Sequence, residues 1–428
     1  MFGRYTTGPR GGAESSRCGG RAPTIDPLDV TGPGAPPGHR ARPAPAGCHL
    51  ILRAMPLIDL RSDTVTHPTA EMRRAMSEAE LGDDVFGDDP TVTALEERAA
   101  EITGMEGGLF VASGTMGNLV SLIAHVPRGG EIIAEAESHT LMDEQAGHAV
   151  IVGASARGIP ARPDGTMDPA LVDAAFRNPL DLHEPRTALI VLENTHAHSM
   201  GQPLTPAYTA EIAAIAHGHG VPLHVDGARL FNAAVALGVP AADLLAPADS
   251  ATFCLSKGLA CPIGSVVVGP GGFIARARRA RKLVVGGMRQ VGVLAAAGLV
   301  ALRDGNAGMI ERLAEDHVNA RHLAEALASM PGIVGLDPAR ATTNFVVFRV
   351  AARDPASRAA SRSPRELRDQ FLDALRAEGV LMVEYPHDTI RAVTHYGVGE
   401  ADVERVIAAC RSALAACGAA PQPATPAG

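Results

Sequence analysis

The sequence predicts an α/β protein in which helices cover both faces of a largely parallel sheet, followed by a smaller α+β unit. From Pro56 onward, short apolar runs alternate with amphipathic helical segments, a pattern typical of parallel sheets. After about Gly305 the pattern changes to long helices separated by single strands. We therefore expect a large domain at residues 56–305 and a small domain at residues 306–417.

The individual elements follow from apolar runs bounded by turn residues. Strands are predicted at 108–112, 131–134, 149–152, 188–192, 222–225, 250–255 and 265–268. Asp89-Pro90 begins a helical pattern that Gly104 ends. In the small unit we expect helices at 309–330 and 400–416, strands at 344–350 and 390–394, and a helix that the Ser363-to-Glu366 capping box opens.

The composition argues against two classes of partner. The 428 residues carry a formal net charge of −9, so we expect no general basic face for nucleic acid. With no Trp, 4 Tyr and 10 Phe, the chain is also poor in the aromatic platforms on which bases stack. No apolar run reaches the roughly 18 residues of a membrane span. We expect a protein that binds neither nucleic acid nor a membrane.

The two ends of the chain differ in composition from the rest. Residues 1–55 contain 10 Gly and 8 Pro and a single aliphatic cluster at 49–52. We interpret them as a disordered extension or as sequence upstream of the true start, for which Met55 is a candidate. Residues 418–428 are rich in Ala and Pro and predict a flexible tail.

The spacing of the potential metal ligands favours free thiols and no metal site. The six cysteines form no C-x-x-C pair and have no histidines at zinc spacing; they are Cys18, Cys48, Cys254, Cys261, Cys410 and Cys417. Free thiols are typical of the reducing cytoplasm, where we expect this protein. A cluster of acidic residues could suggest a hard metal ion, but a loop ending in a helix N-cap explains it better; it comprises Asp83, Asp84, Asp88 and Asp89.

A short loop between a predicted strand and a predicted helix is the first candidate site element. Residues 113–118 read Ser-Gly-Thr-Met-Gly-Asn. Small residues allow backbone N–H groups to approach an anion, and a helix N-terminus adds positive partial charge. The loop predicts a phosphate-binding site, with an ordinary tight turn as the alternative, because it is neither a Walker A loop nor a G-x-G-x-x-G motif.

A second element is the strand end at residues 224–229. Ligands of open α/β sheets bind beyond the carboxyl ends of the strands, which places Asp226 towards a ligand. An aspartate there can keep a pyridine nitrogen protonated. Arg229 can hold a carboxylate with two parallel hydrogen bonds. The alternative is an ion pair at the strand end.

The third element is Lys257, which follows the apolar run at 250–255 and is flanked by small residues. Partial burial favours the neutral amine, which can form a Schiff base with an aldehyde. The alternative is an ordinary surface lysine. A phosphate-binding loop, an acid for a ring nitrogen and an amine for an aldehyde fit one ligand together, pyridoxal phosphate (PLP).

With these motifs together, the chain resembles the low-specificity L-threonine aldolases, which are fold type I PLP enzymes. The matching stretches lie between about residues 57 and 415, and they are 58–66, 82–87, 113–118, 193–196, 224–229, 256–258, 286–290 and 393–395. The resemblance implies a mixed, mostly parallel seven-stranded sheet of the aspartate-aminotransferase type and a small C-terminal α+β domain. It also implies PLP-dependent cleavage of L-threonine and L-allo-threonine to glycine and acetaldehyde.

The resemblance assigns the cofactor contacts residue by residue. Lys257 forms the imine with the cofactor aldehyde, and Asp226 pairs with the ring nitrogen. His139 stacks on the ring, and Arg229 also borders the cofactor. The phosphate is held by residues of the first loop, namely Ser113, Gly114 and Thr115. Lys282 and Arg289 reach the phosphate region from a neighbouring subunit, so a homo-oligomer with shared active sites, commonly a tetramer, is implied.

The substrate contacts are implied in the same way. Ser62, Arg229 and Arg391 match the residues that hold the substrate carboxylate. His183 matches a second active-site histidine near the substrate hydroxyl, and His139 also contacts the substrate. The base that removes the hydroxyl proton stays open between His139, His183 and a bound water.

One feature departs from the family pattern, and two alternatives to a threonine aldolase stay open. After the ring-stacking histidine the family carries aromatic residues, whereas this chain has residues 140–144, Thr-Leu-Met-Asp-Glu, which predicts a wider or more polar pocket wall. Another PLP-dependent lyase or an aminotransferase on the same fold is the alternative enzyme. A non-enzymatic protein that binds a phosphate ligand is the alternative outside enzymes, and the combination of Lys257 with two arginines disfavours it.

Overall fold

The computed structural model describes residues 57–352 and 362–419. The predicted extension at 1–55 and residues 420–428 of the predicted tail lie outside the described residues. Gly418 and Ala419 are described: Ala419 is buried, and its amide donates a hydrogen bond of 2.9 Å to the carbonyl of Leu414.

The secondary structure alternates strands and helices through most of the described chain. The strands, β1 to β13 in chain order, are Ile58–Asp59, Gly107–Val111, Glu131–Glu135, Ser155–Ile159, Thr187–Glu193, Leu223–Gly227, Ser250–Cys254, Ser265–Gly269, Ile333–Val334, Phe345–Val350, Val380–Leu381, Val383–Tyr385 and Thr389–Val393. The α-helices, α1 to α13, are Ala70–Glu78, Pro90–Thr103, Gly114–His125, His139–Met142, Pro169–Ala174, Pro206–Gly218, Leu230–Leu237, Ala241–Leu245, Gly271–Leu283, Gly292–Ala301, Leu313–Ala328, Pro364–Ala377 and Glu400–Ala416. None of these helices has the combined length and apolarity needed to cross a membrane.

The main sheet has seven strands in the order β2-β8-β7-β6-β5-β3-β4. Strand β8 runs in the opposite direction to the other six strands of this sheet, so the predicted mixed, mostly parallel seven-stranded sheet is confirmed. Every residue of β3, β6, β7 and β8 is buried, as expected for strands covered on both faces. In β8, Val266 and Val268 pack in one hydrophobic cluster and Val267 packs in another.

One predicted strand of this sheet is wrong. Residues 149–152 lie in a helical turn, His148–Val152, that Gly153 ends in a left-handed conformation. Val150 and Ile151 are exposed, and a short apolar run cannot distinguish a strand from a helical turn by its periodicity. The strand lies further along, at β4, where the sequence Ser-Ala-Arg-Gly-Ile forms a largely exposed edge without an apolar pattern.

A second, smaller sheet organises the C-terminal part of the described chain. It is antiparallel in the order β12-β13-β10-β9, and its core includes residues of α11, α12 and α13. The short strand β1 pairs in parallel with β11, and Ile58 and Leu60 are buried in this same core. The start of the patterned sequence therefore packs with the C-terminal unit, and the domain boundary at about residue 305 stays a prediction.

The structure contains the side-chain caps from which the sequence predicts the helix boundaries. Asp89 accepts hydrogen bonds from the amides of Thr91 and Val92, and Gly104 ends α2 in a left-handed conformation. Ser363 and Glu366 form the predicted capping box at the start of α12. Asp89 therefore serves as the N-cap that the sequence predicts.

Candidate active site

The candidate site lies at the carboxyl edge of the main sheet. Strands β2, β6 and β7 all end at this edge because they run in the same direction. The predicted phosphate loop follows β2, Asp226 lies near the end of β6, and Lys257 follows β7 by three residues. The topology brings together three motifs that lie between residues 113 and 257 of the sequence.

The loop that enters α3 approaches β7 closely. Ser113 is the N-cap of α3, and its hydroxyl accepts a hydrogen bond of 3.1 Å from the amide of Met116. A Cβ atom at Gly114 would lie 2.8 Å from the sulfur of Cys254, so the backbone position requires glycine. Ser113 and Thr115 remain exposed, which leaves their side chains and the helix N-terminus open to an anion.

Asp226 is 2% exposed and held by two donors. Its carboxylate accepts a hydrogen bond of 2.7 Å from the side-chain amide of Asn118 and one of 3.1 Å from the amide of Ala228. A buried carboxylate with this support offers a fixed acceptor for a protonated ring nitrogen. This geometry fits the role that the sequence implies for Asp226.

A hydrogen-bond chain joins Asp226 to the predicted ring-stacking histidine. Asn118 donates to Glu144 at 2.9 Å as well as to Asp226, and Glu144 in turn lies 3.0 Å from Nδ1 of His139. The hydrogen bond with Glu144 raises the pKa of His139. Burial raises the pKa of Glu144, and the nearby charge of Asp226 adds to this effect. The protonation of His139 and that of Glu144 therefore depend on each other.

Lys257 lies near the hydrogen-bonded side chains of Asn118, Glu144 and His139. Its carbonyl accepts a hydrogen bond of 2.9 Å from the hydroxyl of Thr66, and its side chain is half-buried. Its charge acts on the pKa values of both His139 and Asp63. An amine within electrostatic reach of a buried acid and a histidine has the surroundings that imine chemistry needs.

Arg229 differs from the prediction in one respect. Its two parallel donors, Nε and Nη2, bind the buried carboxylate of Asp63 at 2.7 and 2.6 Å. Burial opposes ionisation of Asp63, but the charge and hydrogen bonds of Arg229 outweigh it and lower the pKa of Asp63. The paired donors expected to hold a ligand carboxylate are thus already used, and Nη1 is the Arg229 nitrogen without a hydrogen bond to the described residues.

Arg391 keeps an unsatisfied donor. Its Nη2 donates to the carbonyl of Arg61 at 3.0 Å, whereas its Nε is buried without a hydrogen-bond partner among the described residues. The guanidinium of Arg391 lies 4.8 Å from the ring centre of Tyr385 and 5.7 Å from that of Phe345. The guanidinium of Arg229 lies 4.7 Å from the same Phe345 ring centre. A buried unpaired donor beside a second arginine fits a small carboxylate ligand.

Ser62 borders the same region. Its hydroxyl accepts a hydrogen bond of 3.2 Å from the amide of Thr64 and lies 3.4 Å from the carboxylate of Asp63. Through Asp63 it is adjacent to Arg229, as the predicted contact with the substrate carboxylate requires.

The structure does not bring His183 to these side chains. Its side chain is 95% exposed in the loop before β5, and it is bonded to Asp181 at 3.0 Å. Its neighbours Leu180 and Leu182 are equally exposed. The predicted contact of His183 with the substrate therefore stays a prediction.

Lys282 and Arg289 are exposed as well. Lys282 lies in the last turn of α9. Arg289 lies in the loop that follows α9, and its guanidinium is 3.5 Å from the carboxylate of Asp83. Neither contacts the cluster around Asp226 through a hydrogen bond or ion pair in the described part of the chain. Their predicted contribution to the phosphate site of a neighbouring subunit stays a prediction.

Several residues at the site were not predicted from the sequence as site residues. Asn118 lies one turn into α3, and its signal is a polar amide among the mostly small and apolar residues that α3 buries. Asp63 and Glu144 are buried carboxylates; Asp63 pairs with Arg229, 166 residues away, and Glu144 bonds Asn118, 26 residues away, so the fold is needed to reveal these contacts. Asp84 of the acidic cluster pairs with Arg281 at 2.5 Å. Within the described residues, the group with ligand atoms close enough for a metal ion comprises His139, Glu144 and Asp226.

Comparison with known proteins gives the family. Residues 59–353 match the model of the beta-eliminating lyases. A probable low-specificity L-threonine aldolase 2 of Arabidopsis thaliana is 43% identical over 352 residues, 82% of this chain and 95% of that protein. The low specificity L-threonine aldolase of Escherichia coli is 41% identical over 359 residues, 84% of this chain and all of that protein.

The fold agrees with this assignment. The structure of Leishmania major threonine aldolase superposes with a TM-score of 0.69 at 18% identity, and the match covers 83% of this chain and 98% of that one. A serine palmitoyltransferase structure described as containing PLP superposes with a TM-score of 0.63 at 19% identity over 85% of this chain and 88% of that one. The expected fold type I architecture is confirmed, and the chain belongs to the low-specificity L-threonine aldolase family of beta-eliminating lyases.

Proposed function

We propose that this protein uses PLP to cleave L-threonine and L-allo-threonine, and related β-hydroxy-α-amino acids, to glycine and an aldehyde. The observation that carries the proposal is the convergence of Lys257, buried Asp226 and the N-terminus of α3 at one sheet edge, next to two arginines. The relatives at 41% and 43% identity carry the same activity in their names.

The residues at the sheet edge fit the cofactor. The N-terminus of α3, capped by Ser113, presents backbone amides and a positive partial charge to a phosphate. Asp226 supplies an anionic partner for a protonated ring nitrogen, and Lys257 supplies the amine for the aldehyde. When bound, PLP supplies that aldehyde and a ring that accepts electrons from the bond that breaks.

The protein's own groups then orient the substrate. Nε of Arg391 and Nη1 of Arg229 bind the carboxylate, which fixes which bond at Cα stands perpendicular to the cofactor ring. Aldol cleavage requires the Cα–Cβ bond in that position. Asp226 keeps the proton on the ring nitrogen, and the Asn118–Glu144–His139 chain holds the imidazole of His139 in place. A base removes the proton of the β-hydroxyl group.

Two further properties belong to the proposal. Exposed apolar side chains next to Lys282 and Arg289, namely Leu283 and Val285, support a homo-oligomer, and we expect a tetramer with shared active sites. The four cysteines in the described part of the chain, Cys254, Cys261, Cys410 and Cys417, are buried free thiols, which supports a cytoplasmic location.

The decisive test is an assay of purified protein with added PLP on both threonine diastereomers. We expect glycine and acetaldehyde in equal amounts. Formation of an α-keto acid from the amino acid in place of an aldehyde would contradict aldol cleavage and favour an aminotransferase on the same scaffold.

A further inference from the structure

A second histidine, His198, lies in the wall of the site. It belongs to the short helical turn Ala197–Ser199 that follows β5, and its side chain is 9% exposed. Its Nε2 lies 3.5 Å from the carboxylate of Asp143. Its ring centre lies 5.1 Å from that of Tyr385. Its Nδ1 makes no hydrogen bond within the part of the chain that the structure describes.

Four contacts of neighbouring residues place His198 relative to the residues of the site. The carboxylate of Glu193 accepts hydrogen bonds from the amides of both His139, at 2.7 Å, and Ala197, at 3.0 Å. The amide of Asp143 donates to the carbonyl of His139 at 2.9 Å. On the opposite side, Tyr385 packs against the guanidinium of Arg391. His198 therefore lies between the predicted ring-stacking histidine and the arginine that holds the carboxylate.

The other buried histidines of this region are already used. Both ring nitrogens of His196 are bonded, to Ser199 at 2.9 Å and to Glu135 at 2.6 Å. Those of His395 are bonded to backbone carbonyls at 2.9 and 2.7 Å. His139 has its Nδ1 bonded to Glu144 at 3.0 Å, and its predicted role is to stack on the cofactor ring.

We propose that His198 accepts the proton of the substrate's β-hydroxyl group and that Asp143 is a positioning residue that orients its imidazole. A carboxylate facing Nε2–H selects the tautomer in which Nδ1 is the free acceptor. The hydroxyl proton goes to Nδ1, and the O–H electron pair becomes the second bond of the aldehyde carbonyl. The Cα–Cβ pair stays with Cα, which then takes up one proton to give glycine.

This inference rests on the proposed aldol cleavage, and it is tested on the PLP-loaded full-length enzyme. The variants are His198→Asn and Asp143→Asn. The matched control is His219→Asn, because His219 also pairs with an aspartate, Asp173 at 2.7 Å, and stacks on an aromatic ring, Phe176. The competing variant is His183→Asn. The measurements are kcat and KM for both threonine diastereomers and the exchange of the α-hydrogen of glycine in D2O, which involves no β-hydroxyl group.

For His198→Asn we expect kcat to fall about 10²-fold or more while KM and glycine exchange stay near the wild-type values. For Asp143→Asn we expect a fall in kcat of roughly tenfold with KM unchanged, because the imidazole remains but loses its orientation. His219→Asn should match wild type in all three measurements, which excludes a general effect of losing a histidine–aspartate pair.

Three results overturn the inference alone: a His198→Asn kcat near wild type, an equal loss of cleavage and glycine exchange, or a larger loss of kcat in His183→Asn than in His198→Asn. A wild-type enzyme that cleaves neither diastereomer is a different outcome, since it contradicts the proposed function and this inference together.

Discussion

Two regions differ in whether their polar side chains find hydrogen-bond partners within one chain. They are the carboxyl edge of the main sheet and the surface around the end of α9. At the sheet edge, Asp226 and Glu144 are buried and hydrogen-bonded to partners from the same chain. At the end of α9, Lys282 and Arg289 are exposed beside Val285, whose side chain is 92% exposed. One chain therefore satisfies the polar groups of the predicted ring-binding part by itself, and we expect the phosphate side to be completed by another copy.

The largest effect should come from the lysine at the sheet edge. The chain contains two lysines, Lys257 and Lys282, so each serves as the control for the other. Lys257→Arg keeps the charge but cannot form an imine, and we expect it to abolish both turnover and the visible absorbance of the imine. Lys282→Arg should keep the absorbance. Absorbance that persists in Lys257→Arg and disappears in Lys282→Arg would reverse the comparison.

Next comes the buried ion pair beside the site. Asp63→Asn leaves Arg229 buried without its carboxylate, and we expect the free energy of unfolding to fall by about 3–5 kcal/mol. The exposed pair of Arg61 with Asp59 is the control, and Arg61→Gln should cost at most about 1 kcal/mol. Denaturant titration of both variants measures the difference, and equal losses would show that burial of the Asp63–Arg229 pair is unimportant.

A smaller, pH-dependent effect should follow from the hydrogen bond between Glu144 and His139. This bond raises the pKa of His139, so the protonated imidazole persists to higher pH in the wild type. In Glu144→Gln the carboxylate is lost, and the pKa of His139 should fall. We expect the limb of the pH profile of kcat that reports His139 to move to lower pH. The NMR titration of the His139 imidazole should shift in the same direction. A limb that moves to higher pH or stays in place would contradict the coupling.

The smallest effect on a single chain should come from the α9 surface. Arg289 is exposed and only 3.5 Å from Asp83, so Arg289→Gln should change the free energy of unfolding of the isolated chain by less than about 0.5 kcal/mol. Its effect should appear as weaker PLP binding in the assembled protein. Denaturant titration and PLP titration separate the two quantities. A large loss of chain stability with unchanged PLP affinity would mean that Arg289 acts within its own subunit.

The fold was predictable where burial imposes a continuous apolar run. The predicted ends of β3, β5, β6 and β8 agree with the structure to within one or two residues. The exposed edge strand β4 was not predictable in this way, because neither of its faces demands apolar residues throughout. The reverse holds at 148–152, where an apolar run is present but Val150 and Ile151 are exposed, so the run does not mark a buried strand.

The site shows a similar division. Asp226, Lys257 and the loop at 113–118 each combine a strand end with a distinctive residue, so local sequence is enough to predict them. Asn118, Glu144 and Asp63 act through partners on other elements, which local sequence does not reveal. His183 and His198 could be distinguished only by the paths of their loops, since one loop turns to solvent and the other packs against Tyr385.

The central claim is that PLP is held as an imine at the carboxyl edge of the main sheet, and borohydride trapping of the wild-type holoenzyme tests it most directly. Reduction fixes the cofactor to whichever amine carries it, and peptide mapping then identifies that amine. We predict that the label lies on the peptide that contains Lys257. A label on Lys282 or on the chain's amino terminus, or a reduced enzyme that carries no label, would contradict the account.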